Sequence, residues 1–199
     1  GSLALGRSTY AGTPIEYASA TFSATGDRLL LRNLRVRQEE STLEGMLAVD
    51  GRFLQMRGTT DIRPEALAEI IPDRIARRSL GFFECGPGSS RRIDFAIAGT
   101  IKEARSWTVD LSFAMQGIRY QGIPFTSARS DLRIRPGQEI RFTDPVVEIA
   151  AGAPLVHSSG KTPAPTRARA RSVVIKPASG NTTTTLDDLE CTGWPYTVL

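Results

Sequence analysis

Between Arg92 and Met115 the chain alternates apolar and polar residues, a pattern that an extended strand with one dry face can use. Ile93, Phe95, Ile97, Gly99 and Ile101 alternate with Arg92, Asp94, Ala96, Ala98 and Thr100. Trp107, Val109, Leu111, Phe113 and Met115 then alternate with Thr108, Asp110, Ser112 and Ala114. A helix would scatter these side chains around its axis, whereas a strand sends each set to its own face. Lys102-Glu103-Ala104-Arg105-Ser106 lies between the two runs and predicts a hairpin turn. Together they predict an antiparallel meander with one solvated face.

The same grammar recurs. Leu132 and Ile134 alternate with Asp131, Arg133 and Arg135, Pro136-Gly137 predicts a turn, and Ile140 and Phe142 begin another strand. Near the start, Leu29 and Leu31 share one phase while Leu34 and Val36 share the other. That phase change predicts a β-bulge or short break near Asn33. Leu43, Leu47 and Val49 form a further strand closed by Gly51, and Leu54 and Met56 open one that runs to Ile62. Gly86-Pro87-Gly88 predicts a turn.

Pro64-Glu65-Ala66-Leu67-Ala68-Glu69-Ile70-Ile71 predicts one short helix, with proline in its first turn and an early acidic residue. Its apolar stripe would cap an open sheet end. From Ala153 the chain changes character. Residues 158–165 are linker-like, Arg167, Arg169 and Arg171 alternate with alanines, and Thr182–Thr185 is a low-complexity run. So few large apolar residues repay little ordering entropy, which predicts a polar, mostly disordered tail over 153–199 with one short strand at Ser172–Lys176. The β domain is expected over 1–152.

Bulk properties exclude little. In 199 residues, 25 basic side chains offset by 21 acidic ones leave a net charge of +4, too mild to specify a partner. The two cysteines, Cys85 and Cys191, allow one disulfide but no framework. No stretch approaches the roughly 20 apolar residues of a membrane span.

Self-similarity says more. Tyr10-Ala11-Gly12-Thr13-Pro14-Ile15 recurs 110 residues later as Tyr120-Gln121-Gly122-Ile123-Pro124-Phe125. Ala18, Ala20 and Phe22 then align with Ala128, Ser130 and Leu132, and Leu29 and Leu31 parallel Ile140 and Phe142. Each copy reads as an aromatic entering a strand, a Gly-x-Pro turn and an alternating strand beyond it. One complete unit and the start of a second are expected, with more units in a longer parent.

Tyr-x-Gly-x-Pro, the strand Leu29-Leu30-Leu31-Arg32-Asn33-Leu34-Arg35-Val36, Leu43-Glu44-Gly45-Met46-Leu47 and Arg63-Pro64-Glu65-Ala66-Leu67 follow one another in order. A strand pair after Gly86-Pro87-Gly88 leads into Gly117-Ile118-Arg119-Tyr120. This pattern, from Leu5 to Gly152, resembles the AsmA-like superfamily of bacterial envelope proteins, including its TamB-like members. The resemblance implies a long, curved antiparallel β-sheet with a hydrophobic concave face. It implies phospholipid transport or outer-membrane maintenance, a periplasmic location, and an inner-membrane anchor elsewhere in the parent. It carries no catalytic residue with it.

An apolar sheet face must be covered by another layer or by a ligand. Ile93, Phe95, Ile97, Trp107, Val109, Leu111 and Phe113 are the candidates to line an open lipid groove. The same residues would equally form the closed core of a sandwich that binds carbohydrate or protein at a cell surface. Neither enzymatic activity nor a cofactor is expected. His157 is the sole histidine and sits beside the linker, so a hydrolytic triad or multi-histidine metal site lacks its parts. Asp187, Asp188 and Glu190 lack calcium-loop spacing. Arg28, Arg32, Arg35 and Arg37, and Arg129, Arg133, Arg135 and Arg141, read as a solubilising strand face, with attraction to anionic lipid head groups as the sharper reading. No aromatics interleave with them as a stacking platform requires, so nucleic acid is not an expected partner.

Overall fold

The computed structural model describes residues 1–10, 13–64, 81–120, 122–149, 166–178 and 181–192. The alternating runs become strands. They are β1 (Ser2–Leu5), β2 (Ser8–Tyr10), β3 (Thr13–Ile15), β4 (Tyr17–Thr25), β5 (Arg28–Gln38), β6 (Ser41–Asp50), β7 (Phe53–Thr60), β8 (Phe83–Thr100), β9 (Thr108–Tyr120), β10 (Ile123–Arg135) and β11 (Glu139–Ile149). Four more follow: β12 (Thr166–Arg169), β13 (Ser172–Ala178), β14 (Asn181–Asp187) and β15 (Glu190–Thr192).

Thirteen of these strands form one curved, open antiparallel sheet, and β2 and β3 form a separate hairpin. The sheet is a meander from β4 through β11, each strand paired with the next. β1 lies outside β4, while β12 and β13 both pair with β11 and are followed by β15 and β14. The order never returns to its start, so the open sheet, and not the closed sandwich, is the architecture. The expected turn between β8 and β9 holds a short 3-10 segment, Ala104–Ser106. Ser106 Oγ closes it by accepting from Thr100 N at 2.7 Å and donating to the Glu103 carbonyl at 2.8 Å.

The phase change near Asn33 is a bulge. Leu31 lies opposite Leu47, yet Leu34 lies opposite Gly45, so β5 spends one more residue than β6. Asn33 takes φ +51, a left-handed conformation that asparagine tolerates better than most residues. Gly86-Pro87-Gly88, expected as a turn, lies inside the long strand β8. Pairing with β9 jumps there from Cys85–Ile118 to Ser90–Gln116, so the segment is a broad bulge. Proline, lacking an N–H, suits a position that gives up its ladder bonds.

Three sequence expectations fall outside the described residues. They are the helix, which apart from Pro64 lies within residues 65–80, the linker at 158–165, and His157. Within the tail expected to be mostly disordered, residues 166–178 and 181–192 form strands, and the rest of it lies outside the described residues. Thr166–Ala178 form β12 and β13 along β11, and Asn181–Thr192 form β14 and β15 beyond them. Strand pairing supplies hydrogen bonds and cross-strand contacts without large apolar side chains, and β-branched Thr and Val suit it. The expected strand at Ser172 is there, as β13.

The tail strands extend the repeat. β5 and β11 are both 11 residues long. Tyr10 pairs with Thr13 as Tyr120 pairs with Ile123, and Ser8 with Ile15 as Ile118 with Phe125. Pairing of β4 with β5 slips between Ser19 and Thr21, and that of β10 with β11 slips between the equivalent Arg129 and Asp131. The residue that absorbs the second slip is Asp144, at φ +47, matching Asn33. Each slip frees a carbonyl, and each carbonyl is answered by a hydroxyl from across the sheet. Thr21 Oγ1 donates to Arg32 O at 3.1 Å, and Ser130 Oγ donates to Thr143 O at 3.0 Å. β12–β13 then stand where β6 stood, and β14–β15 where β7 stood.

Candidate functional site

The register assembles all the apolar phases onto one face. Phe22, Leu31, Leu47, Met56, Ile97, Val109, Ile134, Ile140 and Ile175 form a row in which each residue lies opposite the next. A neighbouring row runs Gly45, Gly58, Phe95, Leu111, Leu132, Phe142, Val173 and Leu186. At about 4.8 Å per strand, a nine-strand row spans about 38 Å.

The sequence candidates sit together near the middle of this face. Ile93 lies opposite Phe113, Phe95 opposite Leu111, and Ile97 opposite Val109. Trp107 stands at the end of this patch against Gly99, where an added Cβ would come within 2.6 Å of the indole ring. Ile93 and Phe95 are buried, and the other five are half-buried. The densest packing is close by. Ile93, Met115, Ile118 and Ala128 form a cluster, with Phe83, Cys85 and Phe125 against it. The Phe83 ring lies 4.8 Å from that of Tyr120.

Elements touch mainly their sheet neighbours, and among the described residues no second sheet or helix lies across the apolar face. Among the described residues, what burial the face has comes from contacts within the sheet. Most of its side chains are therefore half-buried, and Phe22 remains 39% exposed.

The opposite face carries the charge. Arg28 pairs with Asp50 at 3.0 Å, Arg35 with Glu44 at 2.6 Å, Arg133 with Asp110 at 2.5 Å, Arg167 with Glu148 at 3.6 Å and Arg169 with Glu190 at 2.5 Å. In each pair the two residues stand directly opposite on neighbouring strands. Exposed pairs of this kind contribute about 0–1 kcal/mol each. Asp94 accepts from Arg92 on its own strand at 3.2 Å, and that hydrogen bond holds its carboxyl below the usual range against a small opposing effect of burial. The Asp110 carboxylate likewise raises the Arg133 guanidinium.

A trough of about 1690 Å³ crosses the sheet from β4 to β11. Arg35, Glu44, Arg57, Asp94, Asp110, Arg133 and Arg141 line it. Of the seven apolar candidates, Phe95 and Leu111 border it and the others do not. The row Leu47, Met56, Ile97 and Val109 is missing from its walls, whereas Gly45, Gly58, Phe95, Leu111 and Leu132 of the neighbouring row border it beside the charged residues. Arg32 lines the trough as well, so the arginine clusters named from the sequence supply Arg32, Arg35, Arg133 and Arg141; the cross-strand register that joins them to the acidic residues was not legible from one strand at a time.

Among the described residues, no group of three or more His, Cys, Asp or Glu side chains could hold a metal. Cys85 and Cys191 are not disulfide-linked. No described helix is long and apolar enough to cross a membrane. No family model, curated protein or solved structure matches the chain.

Proposed function

We propose that the chain is a segment of a repeat-built envelope protein whose apolar sheet face is covered by the acyl chains of phospholipid, in lipid transport or outer-membrane maintenance. The supporting observation is the continuous apolar face, over which no second layer lies among the described residues. A sheet in water must bury such a face. Each methylene laid on it is worth about 0.8 kcal/mol, so a single acyl chain could repay its own ordering. The charged opposite face keeps the sheet soluble and directs lipid to one side. The AsmA-like and TamB-like resemblance and the periplasmic location belong to this same reading, as does a non-enzymatic role. The alternative, a closed β-sandwich module that binds carbohydrate or protein at a cell surface, finds no support in a sheet that does not close.

The test uses the full chain carrying Trp194→Phe, which leaves Trp107 as the sole indole. Vesicles of phosphatidylethanolamine and phosphatidylglycerol with brominated acyl chains should quench Trp107 emission. Lipid extraction of the purified chain should recover phospholipid. Ile97→Lys with Val109→Lys should abolish both signals while the β-sheet circular dichroism persists. A folded chain that neither retains lipid nor shows quenching would refute the reading.

A further inference from the structure

Among the described residues β1 and β14 lie at outer edges of the sheet, and they are copies of the two edges that β8 joins in its middle. β1 is equivalent to part of β9. Leu3 lies opposite Ala20 and Leu5 opposite Ala18, as Phe113 lies opposite Ser130 and Met115 opposite Ala128. The sequences agree as well, with Ser2-Leu3-Ala4-Leu5 against Ser112-Phe113-Ala114-Met115. At the other end, Leu186 lies opposite Val173 as Met56 lies opposite Leu47, which makes β14 the equivalent of β7.

In the interior, β8 fills the space between these two strand types. Phe113 lies opposite Ile93 and Met115 opposite Arg91 on one side, while Met56 lies opposite Ile97 on the other. The effect shows in exposure. Met115, beside β8, is 7% exposed, whereas its equivalent Leu5 is 47% exposed. Met56, also beside β8, is half-buried, whereas its equivalent Leu186 is 52% exposed. The edge residues are large and apolar like their equivalents, which face a neighbouring strand, and among the described residues no strand takes that neighbour's place at either edge. Native edges are commonly blunted with charge or proline, and Ser2–Leu5 and Thr183–Leu186 carry neither.

We infer that both outer edges are acceptor sites for one kind of partner: an antiparallel strand with the alternation of β8, supplied by another copy of the repeat. The register follows from the interior pairs. On β1, Leu3 would lie opposite the incoming position equivalent to Ile93 and Leu5 opposite that equivalent to Arg91. On β14, Leu186 would lie opposite the position equivalent to Ile97, and Thr184 opposite that equivalent to Gly99, since Thr184 corresponds to Leu54. Backbone hydrogen bonds supply the affinity, and the alternate apolar side chains extend the dry face and fix the phase. One such strand seated between β14 of one chain and β1 of the next would join the two end to end in a single sheet. The inference does not rest on lipid binding.

A synthetic peptide of sequence Ser90–Thr100 tests it on the full chain. At saturation, amides in Ser2–Leu5 and in Thr183–Leu186 should exchange at least about tenfold more slowly, and sedimentation should show peptide-dependent end-to-end growth. Leu5→Asp should remove the protection at β1 alone, and Leu186→Asp that at β14 alone. N-methylation of alternate peptide residues blocks one side of the strand, so binding should persist without growth. Unchanged exchange at both edges would overturn the inference. So would equal protection by a composition-matched peptide with its alternation broken, or protection confined to one edge.

Discussion

The ring of Phe95 lies over Gly58, its opposite neighbour on β7. A Cβ added to Gly58 would stand 3.0 Å from Phe95 Cζ and 2.9 Å from Gly45 Cα, and closer still to the Glu44 carbonyl. Gly45 in turn lies opposite Gly58, so two glycines make a dip that the phenyl ring fills. Phe95 is therefore only 9% exposed on a face that carries no second layer among the described residues.

Gly58→Ala should cost about 1–3 kcal/mol, because the new methyl meets backbone as well as the ring. The loss would appear as a lower urea midpoint with an unchanged slope. Phe95→Ala should cost more, about 3 kcal/mol, since it empties the dip. An unchanged midpoint for Gly58→Ala would place the ring elsewhere.

The left-handed residues at the two equivalent bulges give a second expectation. Valine at Asn33 or Asp144 should cost about 1–2 kcal/mol, the ordinary penalty for a side chain held at positive φ. Asn33→Gly should stay within about 0.5 kcal/mol of the parent, because glycine adopts that conformation freely. Urea denaturation of the four variants, with glycine also at Asp144, separates backbone conformation from lost side-chain contacts. Equal loss for Val and Gly would assign the cost to the Asn33 amide, which donates to Thr21 Oγ1 at 3.4 Å.

Much of this fold was legible because its main signal is local. Alternation placed β8 and β9, and the phase change located the bulge at Asn33. Pro136-Gly137 marked a turn that closes with Gly137 at φ +72. Other features depend on what lies across the sheet. β12 to β15 were read as tail because Arg, Ala and Thr repay little entropy by burial. Yet the alternation of Arg167, Arg169 and Arg171 with alanines was already a period-two signal. Its meaning needed the partners, Glu148 opposite Arg167 and Glu190 opposite Arg169. Gly86-Pro87-Gly88 misled for the same reason: a turn and a bulge share residue types, and only the pairing on both sides distinguishes them. The alternation placed the apolar candidates in one phase, and the register sets them on one face, whereas which described elements lie over that face is a property of the whole sheet.

Trp107 and Gly99 form a smaller version of the Phe95–Gly58 contact. The indole covers a glycine at the end of β8, and added bulk there would meet ring carbons at 2.6 and 2.7 Å. Gly99→Ala should lift the ring into water. In a Trp194→Phe background, Trp107 emission should shift to longer wavelength, with a stability loss of about 1–3 kcal/mol. Emission that stays in place would mean the ring is held by other contacts.

The Arg92–Asp94 pair sets an expected acid dependence. Arg92 holds the Asp94 carboxyl below its ordinary range, chiefly by a side-chain hydrogen bond, with Thr59 helping and burial opposing. A carboxyl with a lowered folded pKa binds fewer protons in the folded than in the unfolded state, so it favours folding once the unfolded carboxyl is ionised. That contribution is fully present above the unfolded value of about 3.9 and is lost as pH falls through the lower folded value. Asp94→Asn should thus weaken the chain slightly at pH 7 and flatten its loss of stability below about pH 4. The Asp94 side chain is 49% exposed, so salt should shrink the difference at pH 7. Urea midpoints at pH 7 and pH 3, each at low and high salt, check the sign. If Asp94→Asn lost as much stability on acidification as the parent, the acid response would belong to other carboxylates.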